Sequence, residues 1–193
     1  MMFALSERAQ DFIARTQAFI QQEIEPIEKA FWDEVHQLNV DGDWTKWQWP
    51  AQLEQLKTKA KAAGLWNMFL PDAELGAGLS VQEYAHIAEL TGRSLLAPTV
   101  FNCNAPDSGN MEVLWRYGSD EQKRQWLQPL LAGEIRSVFC MTEPAVASSD
   151  ATNMQATAVV DGDEIVLNGR KWWSSGLGDP NAKVIIFMAY TPD

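Results

Sequence analysis

The apolar pattern of this chain changes its period near residue 136, and this change limits the possible folds more than any other feature. Before it, apolar residues recur at helical spacing; after it, short apolar runs are separated by Gly-containing turn signals. The first pattern is typical of amphipathic helices and the second of strands. We therefore predict an α+β chain, with an all-α helical domain over 1–135 and the start of an antiparallel, barrel-like β domain over 136–193.

The helical part carries clear boundary signals. Ser80 and Glu83 have the spacing of a capping box, in which each side chain bonds the backbone of the other. Gly64, Gly118 and Gly133 each follow an apolar run, where glycine ends helices. The predicted boundaries are a break of the first helix near Pro26, a helix over 51–63, a helix from Ser80, one from Asp107 to Gly118 and one from Ser119 to Gly133.

The second part predicts a β meander. Strands are expected over 137–141, 154–160, 164–167 and 184–190, and the segment 170–174 also has strand character. Tight turns at Asp161-Gly162 and Asn168-Gly169 connect three of these segments as hairpins.

Charge and composition exclude several functions. The formal net charge is −11, so nucleic acid is an unfavourable partner. The two cysteines and two histidines have no metal-ligand spacing, which predicts neither a metal site nor a disulfide framework. No apolar run is long enough to cross a membrane, and no signal segment is evident at the N-terminus. We expect a cytoplasmic protein with no membrane insertion.

The stretch from Phe139 to Asp150 leaves a predicted strand and enters a loop rich in small and hydroxylic residues. Backbone N–H groups in such a loop can approach a diphosphate or a carbonyl-rich ring closely, and Thr142, Ser148 and Ser149 add hydroxyl partners. A solvated loop between domains, in which these residues make local turns, explains the pattern equally well.

A second stretch, Asn168 to Gly176, contains the adjacent tryptophans Trp172 and Trp173. In a strand these would face opposite sides, so that one could pack inward while the other stacks on a flat ligand. The alternative is that both lie in a core or an interface. The separate group Trp44, Trp47, Trp49 and Pro50 is more typical of a packed loop than of a binding surface.

Together the two stretches resemble the acyl-CoA dehydrogenase family, whose middle domain has a Thr-Glu-Pro loop followed by an Asn-Gly-x-Lys-x-Trp strand. Here these are Thr142-Glu-Pro144 and Asn168-Gly-Arg-Lys-Trp-Trp173. Further similar segments, such as Leu130-Leu-Ala-Gly-Glu134, cover essentially the whole chain. Ala105-Pro-Asp-Ser-Gly-Asn110 resembles one subgroup, which in animals includes members fused to a kinase-like domain.

The resemblance implies bound FAD. Residues 139–142 would meet the polar part of the flavin, Trp173 would pack beside the ring, and Ser175 would bond near flavin N5. Ser148 and Ser149 would approach the diphosphate, and Ser149 would also touch the thioester substrate. The implied cofactor contacts are Phe139, Cys140, Met141, Thr142, Ser148, Ser149, Trp173, Ser174 and Ser175.

The chain departs from the family pattern at three points. One extra residue lies between Pro144 and Ala147, and Ser148 replaces a customary glycine. Glycine tolerates backbone conformations that serine does not, so the loop geometry is expected to differ. Ser174-Ser-Gly176 replaces the more usual Ile-Thr-Asn, which makes Ser175 a weaker or differently directed donor.

The implied activity is oxidation of an acyl-CoA to a trans-2-enoyl-CoA, with an electron-transfer flavoprotein as partner and a homodimer or homotetramer as assembly. The family's catalytic glutamate comes from a C-terminal helical domain, which is expected beyond residue 193. We therefore assign no catalytic residue here, and Glu143 is expected to have a structural role. Two alternatives remain: an acyl-CoA oxidase that uses oxygen, and a noncatalytic flavin-binding or assembly module.

Overall fold

A computed structural model describes residues 4–192, with the backbone alone described at Trp44. The helices are α1 (Glu7–Phe19), α2 (Glu25–Leu38), α3 (Gln52–Ala62), α4 (Val81–Thr91), α5 (Ala97–Val100), α6 (Asp107–Tyr117), α7 (Asp120–Gln122) and α8 (Gln128–Ala132). The strands are β1 (Arg136–Cys140), β2 (Thr157–Asp161), β3 (Glu164–Asn168) and β4 (Ala182–Phe187). The predicted mixed class, with helices first and strands after them, is confirmed.

The helix does not break at Pro26, and that prediction is wrong. A π turn over Ile20–Ile24 joins α1 to α2 in one continuous helical run. The wider turn accommodates the proline, whose ring would clash with a carbonyl four residues earlier in a regular α-helix. A second π turn, Lys123–Leu127, joins α7 to α8 and lies just before Pro129 in the same way.

The predicted helix boundaries are otherwise close to those observed. The Ser80 hydroxyl accepts the Glu83 N–H at 3.3 Å, and the Glu83 carboxylate accepts the Ser80 N–H at 3.0 Å. Gly64 and Gly133 follow α3 and α8 with φ of +66° and +73°. Glycine adopts this left-handed conformation at little cost, which explains both helix ends.

The β part contains one predicted hairpin but no meander. β2 and β3 pair antiparallel around a turn at Gly162, as expected. β1, however, pairs in parallel with β4, so the hairpin lies in the connection between two neighbouring strands. The two sheets are linked after β4, where the Tyr190 N–H donates to the Ala156 carbonyl at 2.7 Å. The turn residues predicted the β2–β3 hairpin, but they could not predict the parallel pairing of β1 with β4.

Two apolar clusters hold the elements together. The larger lies among the helices and includes the fully buried Phe31 and Phe101. The smaller combines residues of the α6 and α8 region, such as Met111 and Leu130, with Val184 of β4. Asp107, 1% exposed, accepts the Ser137 N–H at 2.7 Å and thereby fixes the start of α6 against β1. The strand end that leads into the candidate site is therefore anchored on the helices.

Candidate cofactor site

The two candidate stretches meet directly. The Thr142 hydroxyl donates to the Trp172 carbonyl at 2.9 Å, and the Trp172 N–H donates to the Thr142 carbonyl at 3.1 Å. Residues 30 positions apart in sequence are thus joined by a reciprocal pair of hydrogen bonds. The site is formed where the chain leaves β1 and where it returns after β3.

Gly169 directs this return. Its φ is +155°, and a Cβ at this position would lie 2.4 Å from the Ala156 Cβ. Any side chain would therefore collide with the start of β2. Glycine allows the segment after β3 to turn closely past Ala156 and reach Thr142.

A buried ion pair lies directly beside this junction. The Lys171 ammonium donates to the Glu143 carboxylate at 2.7 Å, and the two side chains are 5% and 4% exposed. The Glu143 carboxylate also accepts the N–H groups of Gln155 and Ala156 at 2.8 and 2.9 Å. The hydrogen bond from Lys171 lowers the pKa of Glu143 to about 2. Glu143 is thus a buried, paired and ionised group inside the fold.

Trp173 has the most unusual geometry of the site. Segment 170–174 is not a strand, so the prediction that the tryptophans face opposite sides of a strand is wrong. The φ of Trp173 is +56°, a left-handed value that is a clear outlier for a bulky residue, and its side chain is 81% exposed. Its ring centroid lies 5.6 Å from that of Trp172. The backbone turns at Trp173 and leaves a flat indole surface open to a ligand.

The β1 side contributes backbone groups more than side chains. Phe139 and Met141 are half-buried, whereas Cys140 points into the core. The Thr142 hydroxyl proton is used by Trp172, but no described residue bonds the Thr142 N–H. This N–H is available to an acceptor atom of a ligand.

The serines fall into two groups. Ser148 is 1% exposed, and its hydroxyl accepts the Glu143 N–H, so this hydroxyl stabilises the loop to which it belongs. Ser149, by contrast, is exposed. Ser175 is also exposed, and its N–H donates to the Trp173 carbonyl at 3.0 Å. The Ser174 hydroxyl is buried and has no partner among the described residues. Ser149 and Ser175 therefore have exposed hydroxyls, whereas Ser174 has a buried hydroxyl that no described residue bonds.

Sequence reasoning missed a cavity of about 410 Å³ between the helices and the loop before β4. Trp32, Trp47 and Trp49 form part of its wall, and the Trp49 indole N–H donates to Asp179 at 3.2 Å. Trp47 and Trp49 pack edge to face, as the prediction of a packed loop implied, whereas the Trp44 side chain lies outside the described residues. No local signal could reveal the cavity, since Trp49 and Asp179 are 130 positions apart.

The arrangement suits a flat, hydrogen-bonding cofactor. An exposed indole offers a stacking surface, and the free Thr142 N–H with the unpartnered Ser174 hydroxyl provides polar groups nearby. The described residues contain no cluster of three or more His, Cys, Asp or Glu suited to a metal ion. No helix among them has the length and apolar character needed to cross a membrane.

A helical unit followed by strands whose connecting loops form the candidate site defines the class of protein. Residues 6–134 match the family model for the acyl-CoA dehydrogenase N-terminal domain, and residues 138–193 match that for the acyl-CoA dehydrogenase middle domain. The chain belongs to the acyl-CoA dehydrogenase family.

Similar proteins agree with this assignment. Acyl-CoA dehydrogenase family member 11 of Mus musculus is 51% identical over 190 residues, which are 98% of this chain and 24% of the mouse protein. The solved structure of a Mycobacterium abscessus protein classed as an acyl-CoA dehydrogenase superposes with a TM-score of 0.90 at 63% identity, covering 98% of this chain and 47% of that one.

A glutaryl-CoA dehydrogenase from Mycobacterium smegmatis, solved in complex with FADH2, has a TM-score of 0.66 and 26% identity. The match covers 98% of this chain and 44% of that one. The chain thus spans about a quarter of the mouse protein and less than half of the two bacterial ones.

Proposed function

We propose that this chain forms the flavin-contacting part of an FAD-dependent acyl-CoA dehydrogenase, which converts an acyl-CoA to a trans-2-enoyl-CoA. The observation that carries the proposal is the junction of Thr142 with Trp172, beside the exposed indole of Trp173. Family membership and the relative solved with FADH2 support the choice of cofactor. Bound FAD would accept the hydride that leaves the substrate β-carbon.

In this proposal, the residues of this chain bind the FAD and orient it relative to the substrate. The Thr142 N–H would donate to an oxygen or nitrogen of the flavin ring, and the indole of Trp173 would stack beside it. Ser174 and Ser175 would supply hydroxyl donors at the ring edge, with Phe139, Cys140 and Met141 forming the wall behind it. Among the loop serines, Ser149 would face the diphosphate and the thioester, because the Ser148 hydroxyl already bonds Glu143.

As the resemblance to the family implies, a glutamate outside residues 1–193 would remove the substrate α-proton. Glu143 is buried and paired with Lys171, and it is not assigned this role. Electrons would then pass to an electron-transfer flavoprotein, and the assembly would be a homodimer or homotetramer. These roles belong to the whole protein.

The test uses the protein expressed from its complete gene. We expect one FAD per chain, with a flavin absorption band that bleaches anaerobically on addition of an acyl-CoA and a product two mass units lighter. A series of straight, branched and dicarboxylic acyl-CoAs would identify the substrate class. A colourless protein, or a flavin that no member of the series reduces, would overturn the proposal. Stoichiometric release of peroxide in air would favour the oxidase instead.

A further inference from the structure

The ion pair between Glu143 and Lys171 has no role in the proposed chemistry, yet each of its residues is adjacent in sequence to a residue of the Thr142–Trp172 junction. Glu143 follows Thr142, and Lys171 precedes Trp172. Both charged side chains are at least nine-tenths buried. Removing charges from water is costly unless they are paired and fully hydrogen-bonded, so such a pair requires a physical explanation.

Its contacts join four parts of the β domain. The Glu143 carboxylate bonds the N–H groups of Gln155 and Ala156, which lead into β2. The Lys171 ammonium donates to the Met141 carbonyl at 2.9 Å, just after β1, and lies 5.0 Å from the Phe187 ring centroid at the end of β4. Charge-assisted bonds of this kind are strong and directional, so they hold these chain ends in fixed relative positions.

We propose that Glu143 and Lys171 are positioning residues, which hold the Thr142–Trp172 junction in place and keep the charge beside the cofactor balanced. The inference rests on the proposed function for its cofactor. The ion pair and the two Thr142–Trp172 hydrogen bonds connect the same two segments at neighbouring positions. With both charged side chains replaced, the hydrogen bonds that still join these two segments among the described residues are the two between Thr142 and Trp172.

Charge balance makes a prediction with a definite sign. Glu143→Gln leaves an uncompensated positive charge on Lys171, whereas Lys171→Met leaves a negative charge on Glu143. A positive charge near a flavin favours its electron-rich reduced form, and a negative charge disfavours it. We expect the reduction potential of the holoprotein to rise in Glu143→Gln, to fall in Lys171→Met and to return to the wild-type value in the double variant.

Positioning is measured separately, without cofactor or turnover. Amide hydrogen exchange of the apoprotein reports on the Trp172 N–H, which donates to Thr142. We expect exchange at Trp172 to be at least tenfold faster in Lys171→Met and in the double variant. Matched controls are Glu89→Gln and Lys29→Met, which remove charges from exposed helical ion pairs. We expect these controls to leave both the potential and the exchange unchanged.

The double variant keeps the test decisive if a single variant does not fold, because replacing both charges by similar neutral side chains removes the unpaired buried charge. Potentials that move in the same direction in both single variants, or unchanged exchange at Trp172 in the double variant, would overturn the inference. A wild-type protein without FAD would defeat the proposed function and the charge-balance part of the inference, whereas the positioning part would still be tested because the exchange measurement needs no flavin.

Discussion

At the residue scale, Trp173 combines a left-handed backbone with an exposed indole. Left-handed backbone costs an L-residue roughly 1–2 kcal/mol, and such outliers are concentrated at functional sites. An indole that is 81% exposed gains little burial energy to offset this cost. The geometry therefore supports the proposed stacking role of Trp173 as a hypothesis.

Two substitutions at this position separate strain from binding. Trp173→Ala and Trp173→Gly both remove the indole, but only glycine relieves the left-handed strain. We expect the glycine variant to be the more stable of the two by about 1 kcal/mol in urea denaturation. FAD titration of the full-length protein should show a similar loss of affinity in both, roughly fivefold for a stacking contribution of about 1 kcal/mol. Unchanged affinity in both variants would contradict the stacking role.

Some features of the candidate-site residues could be predicted from the sequence, and others could not. Thr142 and Trp173 belong to motifs, so the meeting of the two segments was predictable from the resemblance, and the Thr142–Trp172 bonds join these segments. The left-handed turn at Trp173 was not predictable, because tryptophan carries no preference for that conformation. The inward rotation of Ser148 likewise depends on the Glu143 N–H that it bonds.

At the element scale, one carboxylate connects the starts of two helices. Glu83 completes the capping box of α4, and its other oxygen accepts the Ser6 hydroxyl at 2.5 Å. Ser6 in turn accepts the Ala9 N–H at the start of α1. The capping box was recognisable from local spacing, but Ser6 lies 77 positions away and carried no signal for this contact.

This contact predicts acid-sensitive stability. The Ser6 hydroxyl, followed by the Ser80 bonds, lowers the pKa of Glu83 from 4.5 to about 2. The folded state therefore favours the ionised form, and the stabilisation is complete above about pH 4.5 and lost as the pH falls towards 2. We expect Glu83→Gln to be less stable than wild type at pH 7 and nearly equal to it near pH 2.

Urea midpoints of wild type and Glu83→Gln, measured at several pH values between 2 and 7, test this expectation. Glu89→Gln on the same helix removes an exposed carboxylate from an i,i+4 pair and serves as the control. A difference between wild type and Glu83→Gln that stays constant over the whole range would show that ionisation of Glu83 is irrelevant.

The end of α8 gives a second prediction at this scale. Gly133 has a φ of +73°, and a Cβ at this position would lie 2.7 Å from the Trp66 ring. Gly133→Ala should therefore destabilise the fold by about 1–2 kcal/mol or more. Gly109 lies within α6, and a Cβ added there would meet no atom within 4 Å, so Gly109→Ala should stabilise by about 0.5–1 kcal/mol. Urea denaturation measures the stability of both variants. A Gly133→Ala variant as stable as wild type would contradict this account of Gly133, and a destabilised Gly109→Ala variant would contradict that of Gly109.

At the scale of the whole molecule, stability is expected to be uneven. The helical core contains fully buried Phe31 and Phe101, whereas every residue of β3 is exposed. Val160 and Ile165 of the hairpin are 68% and 66% exposed. Segments with few buried apolar contacts open most easily.

Hydrogen exchange of residues 1–193 should therefore show the β2–β3 hairpin exchanging much faster than β1, which packs on α6, and faster than the helical core. Peptides covering 157–168 and 136–140 give the comparison within one sample. Equal protection of the two peptides would mean that the hairpin is supported by contacts other than those described.

The sequence by itself determined the family and most of the elements, because helix caps, turn glycines and hydrophobic periods act over a few residues. It also located both segments of the candidate site. Only the tertiary structure decided the parallel pairing of β1 with β4, the Glu143–Lys171 pair and the Trp-lined cavity. These features join residues far apart in the chain, where contact depends on how the whole fold closes and no local preference specifies the partner.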